Sequence, residues 1–131
     1  MTNGRIKGRS FEYQVIKMVD EELGIKCERD IEQYRKSDRG DVLGLDGWTI
    51  ECKRYAGTRG SDGGYKPEWW AQCTEAANAA HNQPVLIYKY DRHPIRCVVL
   101  LSSINPEYLE KDNTATISFY TWCMLVREGL L

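Results

Sequence analysis

Asp41–Lys53 reads DVLGLDGWTIECK. Two apolar runs, Val42–Leu45 and Trp48–Ile50, flank the dipeptide Asp46–Gly47. That dipeptide is a strong signal for a two-residue β-hairpin turn. Side chains alternate across a strand, so Glu51 and Lys53 point to one face and Cys52 to the other. The hairpin folds Asp41 back beside Glu51. Two carboxylates and an ammonium then share one small site. Crowded carboxylates resist ionisation unless a cation sits between them. A hard divalent ion such as Mg²⁺ suits the place, because it takes oxygen ligands and keeps several waters.

Upstream, residues 8–23 read GRSFEYQVIKMVDEEL. Phe11, Val15, Met18, Val19 and Leu23 recur at helical spacing and form an apolar stripe. Gly24 is placed to end the helix. Glu12 lies in the first turns beside the stripe, so the helix brings a third carboxylate.

Glu12, Asp41 and the Glu51-Cys52-Lys53 triplet together resemble the PD-(D/E)xK nuclease superfamily. Within it, Gly8–Lys53 is similar in order and spacing to archaeal and phage Holliday junction resolvases. A basic N-terminus leads into a helix with an early glutamate, then a strand, a polar loop and the Asp…Glu-x-Lys hairpin. The sequence departs from the pattern at Gly40, where the motif's proline would stand. The resemblance covers about the first half of the chain. It implies a metal-dependent endodeoxyribonuclease with Asp41 and Glu51 holding Mg²⁺, or Mn²⁺ in its place. The Cys52 backbone carbonyl would be a further ligand, and Glu12 would bind directly or through water. Lys53 would act on the nucleophilic water or the transition state. It also implies a homodimer acting on branched four-way DNA junctions, in a prokaryotic or phage-infected cytoplasm. Relatives in the superfamily place a glutamine or lysine on the helix after the Glu-x-Lys strand, and Gln72 is the candidate here.

Each residue taken singly also fits a plainer role. Glu12 is an acceptable carboxylate near the positive end of a helix dipole. Glu51 and Lys53 suit a surface ion pair of small value. The joint occurrence, in the right order around a hairpin, favours the nuclease. Restriction, nicking and repair enzymes share the motif and remain alternatives. So does a catalytically silent DNA-binding module, against which the intact Asp, Glu and Lys set argues.

The chain of 131 residues suits one nuclease domain, residues 1–131, with residues 1–9 as a flexible basic arm. No apolar run reaches membrane-spanning length and no signal peptide is evident, so no membrane partner is expected. The net charge of −1 and the pI near 6.1 argue against a general polyanion binder. Local basic clusters carry the DNA expectation instead: Arg5, Lys7 and Arg9; Arg35, Lys36 and Arg39; and Arg54 and Arg59, with Lys53 and Lys66 nearby. Five widely spaced cysteines, with no Cys-x-x-Cys, read as free thiols in apolar runs rather than a zinc site. His81 and His93 lie far apart and support neither a histidine-metal nuclease nor a Cys–His hydrolase.

Ile25–Arg29 reads as a short strand. Residues 56–64 are glycine-rich and polar, and no Gly-Lys-Ser/Thr follows to make a phosphate loop. Pro67 starts a second helix running to about His81, with Trp70, Cys73, Ala77 and Ala80 as its stripe and Trp69 and Gln72 on an adjoining face. Trp69 reads as core before it reads as a base platform. Pro84–Tyr90 and Ile95–Leu101 read as buried strands, Thr114–Tyr120 as another strand, and Trp122–Glu128 as a terminal helix. The expected fold is therefore α/β: a central mixed β-sheet flanked by helices, the restriction-endonuclease-like core.

Overall fold

A computed structural model describes residues 4–31, 40–57, 64–108 and 113–129. The chain order is α1 (Gly4–Leu23), β1 (Glu28–Arg29), β2 (Val42–Leu43), β3 (Trp48–Tyr55), α2 (Pro67–Ala80), β4 (Gln83–Tyr90), β5 (Arg96–Leu100), α3 (Leu101–Ile104), β6 (Thr114–Ser118) and α4 (Phe119–Gly129).

The strands form one sheet in the order β1-β2-β3-β4-β5-β6. Among the described strands only β3 and β4 run parallel, and α2 lies in the crossover between them. The other neighbours are antiparallel. This is the mixed α/β sheet that the hairpin and the valine- and isoleucine-rich runs predict.

Alternation along β3 and β4 gives the sheet two apolar faces. Ile50, Cys52, Val85 and Ile87 join Phe11, Val15 and Val19 of α1 and Phe119, Trp122 and Val126 of α4. Leu86, Tyr88, Tyr90 and Val98 join Trp69 and Cys73 of α2 on the opposite face. Helices thus cover both sides, which is why β4 is almost continuously apolar. Among the described residues no helix is long and apolar enough to cross a membrane.

Several boundaries differ from the sequence reading. α1 begins at Gly4, so residues 4–9 are helical rather than a free arm. No proline interrupts that stretch, and Arg5, Ile6, Lys7 and Arg9 all accept helix geometry. On α2 the buried residues are Trp69, Cys73, Ala76 and Ala77, and Trp70 is only partly buried. The inward stripe is therefore rotated from the expected one, because the pile of tyrosines on β4 takes the Trp69 ring. β6 stops at Ser118 and α4 starts at once with Phe119, whose buried ring packs against Trp122. The short helix α3 has no counterpart in the sequence reading.

Candidate active site

The turn at Asp46–Gly47, with Gly47 at φ +84°, reverses the chain and lays β2 against β3 with Val42 opposite Ile50. The N–H of Asp41 also donates to the Ile50 carbonyl, at 2.7 Å. Asp41 and Val42 thus both face one residue, the two-against-one arrangement of a β-bulge, a device that re-aims side chains at sites of function. Gly40 explains the departure from the motif's proline. It is buried, and a Cβ there would run into the Ile50 carbonyl oxygen. Only a residue without a side chain lets the strand turn in so closely before Asp41.

Asp41 Oδ2 accepts the main-chain N–H of Cys52 at 2.7 Å. The carboxyls of Asp41 and Glu51 lie side by side, close enough to act directly on each other's ionisation. Both residues are buried, Glu51 to 2 % exposure. Glu51 Oε2 lies buried with no hydrogen-bond partner among the described residues. Burial, and then the Asp41 charge beside it, push the Glu51 carboxyl up to about 9. Burial also raises Asp41, against the lowering effect of the Cys52 N–H. The protein alone therefore keeps a proton on this pair at neutral pH.

Lys53, the next residue on the Glu51 face of β3, is partly buried, and its charge favours the ionised form of both carboxylates. Glu12 enters from α1. It is 6 % exposed, and its charge acts on Asp41 and Glu51. Burial raises its carboxyl, and the hydrogen bond from Arg29 opposes the rise.

Arg29 is the residue the sequence reading missed. Its Nε donates to Glu12 Oε1 at 2.8 Å, from a side chain 23 % exposed. It stands on β1 opposite Val42, the residue after Asp41. The available signal was its place in the strand that leads to the polar loop, which an antiparallel neighbour of β2 would put beside the carboxylates.

The remaining candidates divide. Arg9 is exposed on α1 one turn before Glu12, and its charge lowers Glu12. Arg54, expected on a phosphate rim, is engaged within the protein. It donates to Asp91 Oδ1 at 2.5 Å and to the Tyr55 carbonyl at 2.7 Å, with its side chain 16 % exposed. The physical reason is the β4–β5 turn, which brings the Asp91 carboxylate to the end of β3. Gln72 is exposed on α2, one residue before Cys73. The side chains of Arg5 and Lys7, and the residues Arg35, Lys36, Arg39 and Arg59, lie outside the described residues. Cys52, Cys73, Cys97 and Cys123 are buried free thiols and Cys27 is partly buried.

A cleft of about 270 Å³ opens along the hairpin between Gly40 and Trp48 and reaches Ala80 and Asn82. It is not lined by Asp41, Glu51 or Glu12, so the chemistry points elsewhere. Among the described residues no three His, Cys, Asp or Glu side chains form a ready metal cage. A Mg²⁺ site needs none, because it uses one or two carboxylates together with waters and phosphate oxygens. The donor set fits such an ion: two adjoining buried carboxyls, one oxygen without a partner among the described residues, and the Cys52 carbonyl on the same strand edge as its N–H.

Comparison with solved structures finds Hjc from Archaeoglobus fulgidus, a Holliday junction resolvase from an archaeal hyperthermophile, with a TM-score of 0.53 and 14 % identity. The match covers 93 % of this chain and 99 % of that one, so the two share the restriction-endonuclease-like fold. No curated protein matches the chain. The model of a family described as "Phage putative PDDEXK endonuclease" matches residues 3–124, which include every carboxylate of the site. The chain belongs to this PDDEXK phage endonuclease family.

Proposed function

We propose that the protein is a divalent-metal-dependent DNA endonuclease that cuts branched DNA, with four-way junctions as its preferred substrate, and that it works as a homodimer. The observation that carries the nuclease reading is the buried, directly interacting pair Asp41 and Glu51, with Glu51 Oε2 unpartnered among the described residues and the Lys53 charge acting on both. Such a pair is costly to ionise in the protein alone and is relieved by a cation.

Asp41 and Glu51 would hold the ion, with the Cys52 carbonyl as a third oxygen and Glu12 joining directly or through water. When bound, Mg²⁺ lowers the pKa of a coordinated water and neutralises charge on the scissile phosphate. Cys52 fixes one Asp41 oxygen through its N–H, and the other would be available to the ion. Lys53, aligned with Glu51 on β3, would orient the attacking water or stabilise charge on the phosphorane-like transition state. Arg29 holds Glu12 in place and keeps its carboxylate compensated. Gln72 would act on the same water network from α2.

The junction preference rests on two supports. One is the likeness of fold to a resolvase. The other is the net charge of −1, which gives little general attraction to a polyanion, so selectivity has to come from shape. Two matched cuts across a four-way junction call for two sites related by a two-fold axis, hence the dimer. Incubation with four-way junction, linear duplex and nicked duplex, each with Mg²⁺ and with chelator, tests the reading. Metal-dependent cutting of the junction in preference to the others is expected. Equal cutting of linear duplex by a monomer would assign the protein to the restriction, nicking or repair type. No cutting of any DNA would make it a binding module.

A further inference from the structure

On β3 the residues that alternate with Glu51 and Lys53 lead to Tyr55, on the same face of the sheet. Tyr55 stands about 13 Å along the strand from Glu51, at ~3.3 Å per residue. Its surroundings are unlike an ordinary surface. Its ring lies 5.9 Å from Trp69 and 6.1 Å from Tyr90, and behind these Trp69 and Tyr88 are 6.1 Å apart. Those three partners are buried, at 8 %, 1 % and 2 % exposure, whereas Tyr55 is 46 % exposed. Lys66 Nζ sits over the Tyr55 ring at 3.9 Å and within 5.6 Å of the Trp69 ring. The Tyr90 hydroxyl donates to the Gly64 carbonyl at 2.8 Å, which fixes the segment carrying Lys66.

From this we infer that Tyr55 and Lys66 form a subsite for one unstacked nucleobase of the DNA substrate. The base stacks on the Tyr55 ring and Lys66 takes the adjoining phosphate. The inference rests on the nuclease reading and deepens it, by naming the element that tells branched DNA from continuous duplex.

Three observations select a base over other occupants. First, the ring is held from behind by a buried aromatic stack, so it is ordered before any ligand arrives and little is lost in ordering it. Second, the subsite shares a strand face with Glu51 and Lys53, so a DNA strand with its phosphate at the carboxylates passes it. The ~13 Å separation equals about four base-pair rises of duplex. Third, the charge is right for a nucleotide. A cation on an exposed ring makes only a weak contact, and a base has a larger π-face to offer the same ring. Lys66 then has a phosphate to meet. In a continuous duplex every base is stacked and paired, so only a branch, end or bulge supplies the ligand.

The test uses the full-length Glu51→Gln protein, so that bound DNA is not cut, with 2-aminopurine as the probe base. The probe is placed beside the branch of a four-way junction, or at the equivalent position of a linear duplex. Stacking on a ring quenches its fluorescence beyond the level of the free junction. Added protein is expected to quench the junction probe and to leave the duplex probe unchanged. Tyr55→Leu should abolish the quenching and weaken junction binding by on the order of tenfold, with duplex binding unchanged. Tyr55→Phe should retain both. Lys66→Met should weaken binding and flatten its salt dependence while keeping the quenching. Melting curves check that each variant folds, which the exposure of Tyr55 favours. Quenching that survives Tyr55→Leu, or equal losses on junction and duplex, would overturn the subsite. So would a Tyr55→Leu protein whose only change is its oligomeric state, since the face would then be an interface between copies. The parental protein, assayed with Mg²⁺ on the same DNA, separates the two levels. Cutting without Tyr55-dependent quenching removes the subsite alone, and no cutting of any DNA removes the nuclease reading beneath it.

Discussion

The main-chain N–H of Cys52 donates to Asp41 Oδ2 across 11 residues of sequence at 2.7 Å, and it does so from the middle of the Glu51-Cys52-Lys53 triplet. One hydrogen bond therefore ties the first carboxylate of the site to the strand that carries the second. Gly40 makes the approach possible, since its missing side chain lets the chain reach Ile50 closely. The site is a property of the hairpin, and α1 adds Glu12 to it from the other side of the sheet.

Gly40→Ala should disturb the site without touching a charged group. The added methyl meets the Ile50 backbone, which has no flexible end to move. The strand would shift and carry Asp41 with it. The expected loss is about 1–3 kcal/mol of stability, as for an overpacked core position, with a larger proportional loss of cleavage. Chemical denaturation and a cleavage assay read the two effects. An alanine variant with full activity and stability would show that Asp41 is placed by something else.

Asp41→Asn and Glu51→Gln should each lower cleavage by on the order of 10²–10³-fold or more while the protein stays folded. Without metal, their melting temperatures should hold or rise, because Asn removes a buried charge and Gln replaces a carboxyl that burial already holds protonated. Lys53→Ala should lose most activity and keep metal affinity, because an ammonium does not ligate a cation. Calorimetric titration with Mn²⁺ checks the last point. Loss of metal binding in Lys53→Ala would contradict its assigned role.

The raised Glu51 carboxyl gives a pH dependence of definite sign. Its folded value near 9 lies above the ordinary 4.5, so between these values the folded state holds a proton that the unfolded state lacks. Its contribution to stability is complete below about 4.5 and is lost as pH rises toward 9. The metal-free protein should therefore melt at falling temperature over that window, and Glu51→Gln should flatten the slope. Metal must displace the same proton, so its affinity should increase with pH. Thermal melts from pH 5 to pH 9 on both proteins decide this; equal slopes would place the proton elsewhere.

Arg29→Met leaves the Glu12 carboxylate buried without its partner. The expected cost is roughly 1–3 kcal/mol, and Glu12→Gln in the same protein should recover part of it. A double-mutant cycle by denaturant unfolding measures the coupling. Strict additivity would mean that the Arg29–Glu12 contact contributes nothing to the fold.

The residues close together in sequence could be read and the distant pairs could not. Alternation around Asp46–Gly47 identifies the hairpin and puts Asp41 beside Glu51, and the 3.6-residue stripe of Phe11, Val15 and Val19 places α1. The Arg29–Glu12 contact joins residues 17 apart and Arg54–Asp91 joins residues 37 apart, and each depends on which strands become neighbours. Arg54 shows the consequence, since a basic residue next to the Glu51 and Lys53 strand looks like a phosphate contact until the β4–β5 turn supplies Asp91. Trp69 and Trp70 are adjacent and equally apolar, so the helical period leaves open which one turns inward. The tyrosines of β4 decide it.

The most direct test of the central claim is cleavage of a labelled four-way junction by purified protein with 5–10 mM Mg²⁺ (roughly saturating for a carboxylate site), beside the same reaction with chelator and with Glu51→Gln. The account predicts paired cuts with Mg²⁺ or Mn²⁺, none with chelator, and none above background for Glu51→Gln. Undiminished cutting by rigorously metal-free protein, or by Glu51→Gln, would contradict it.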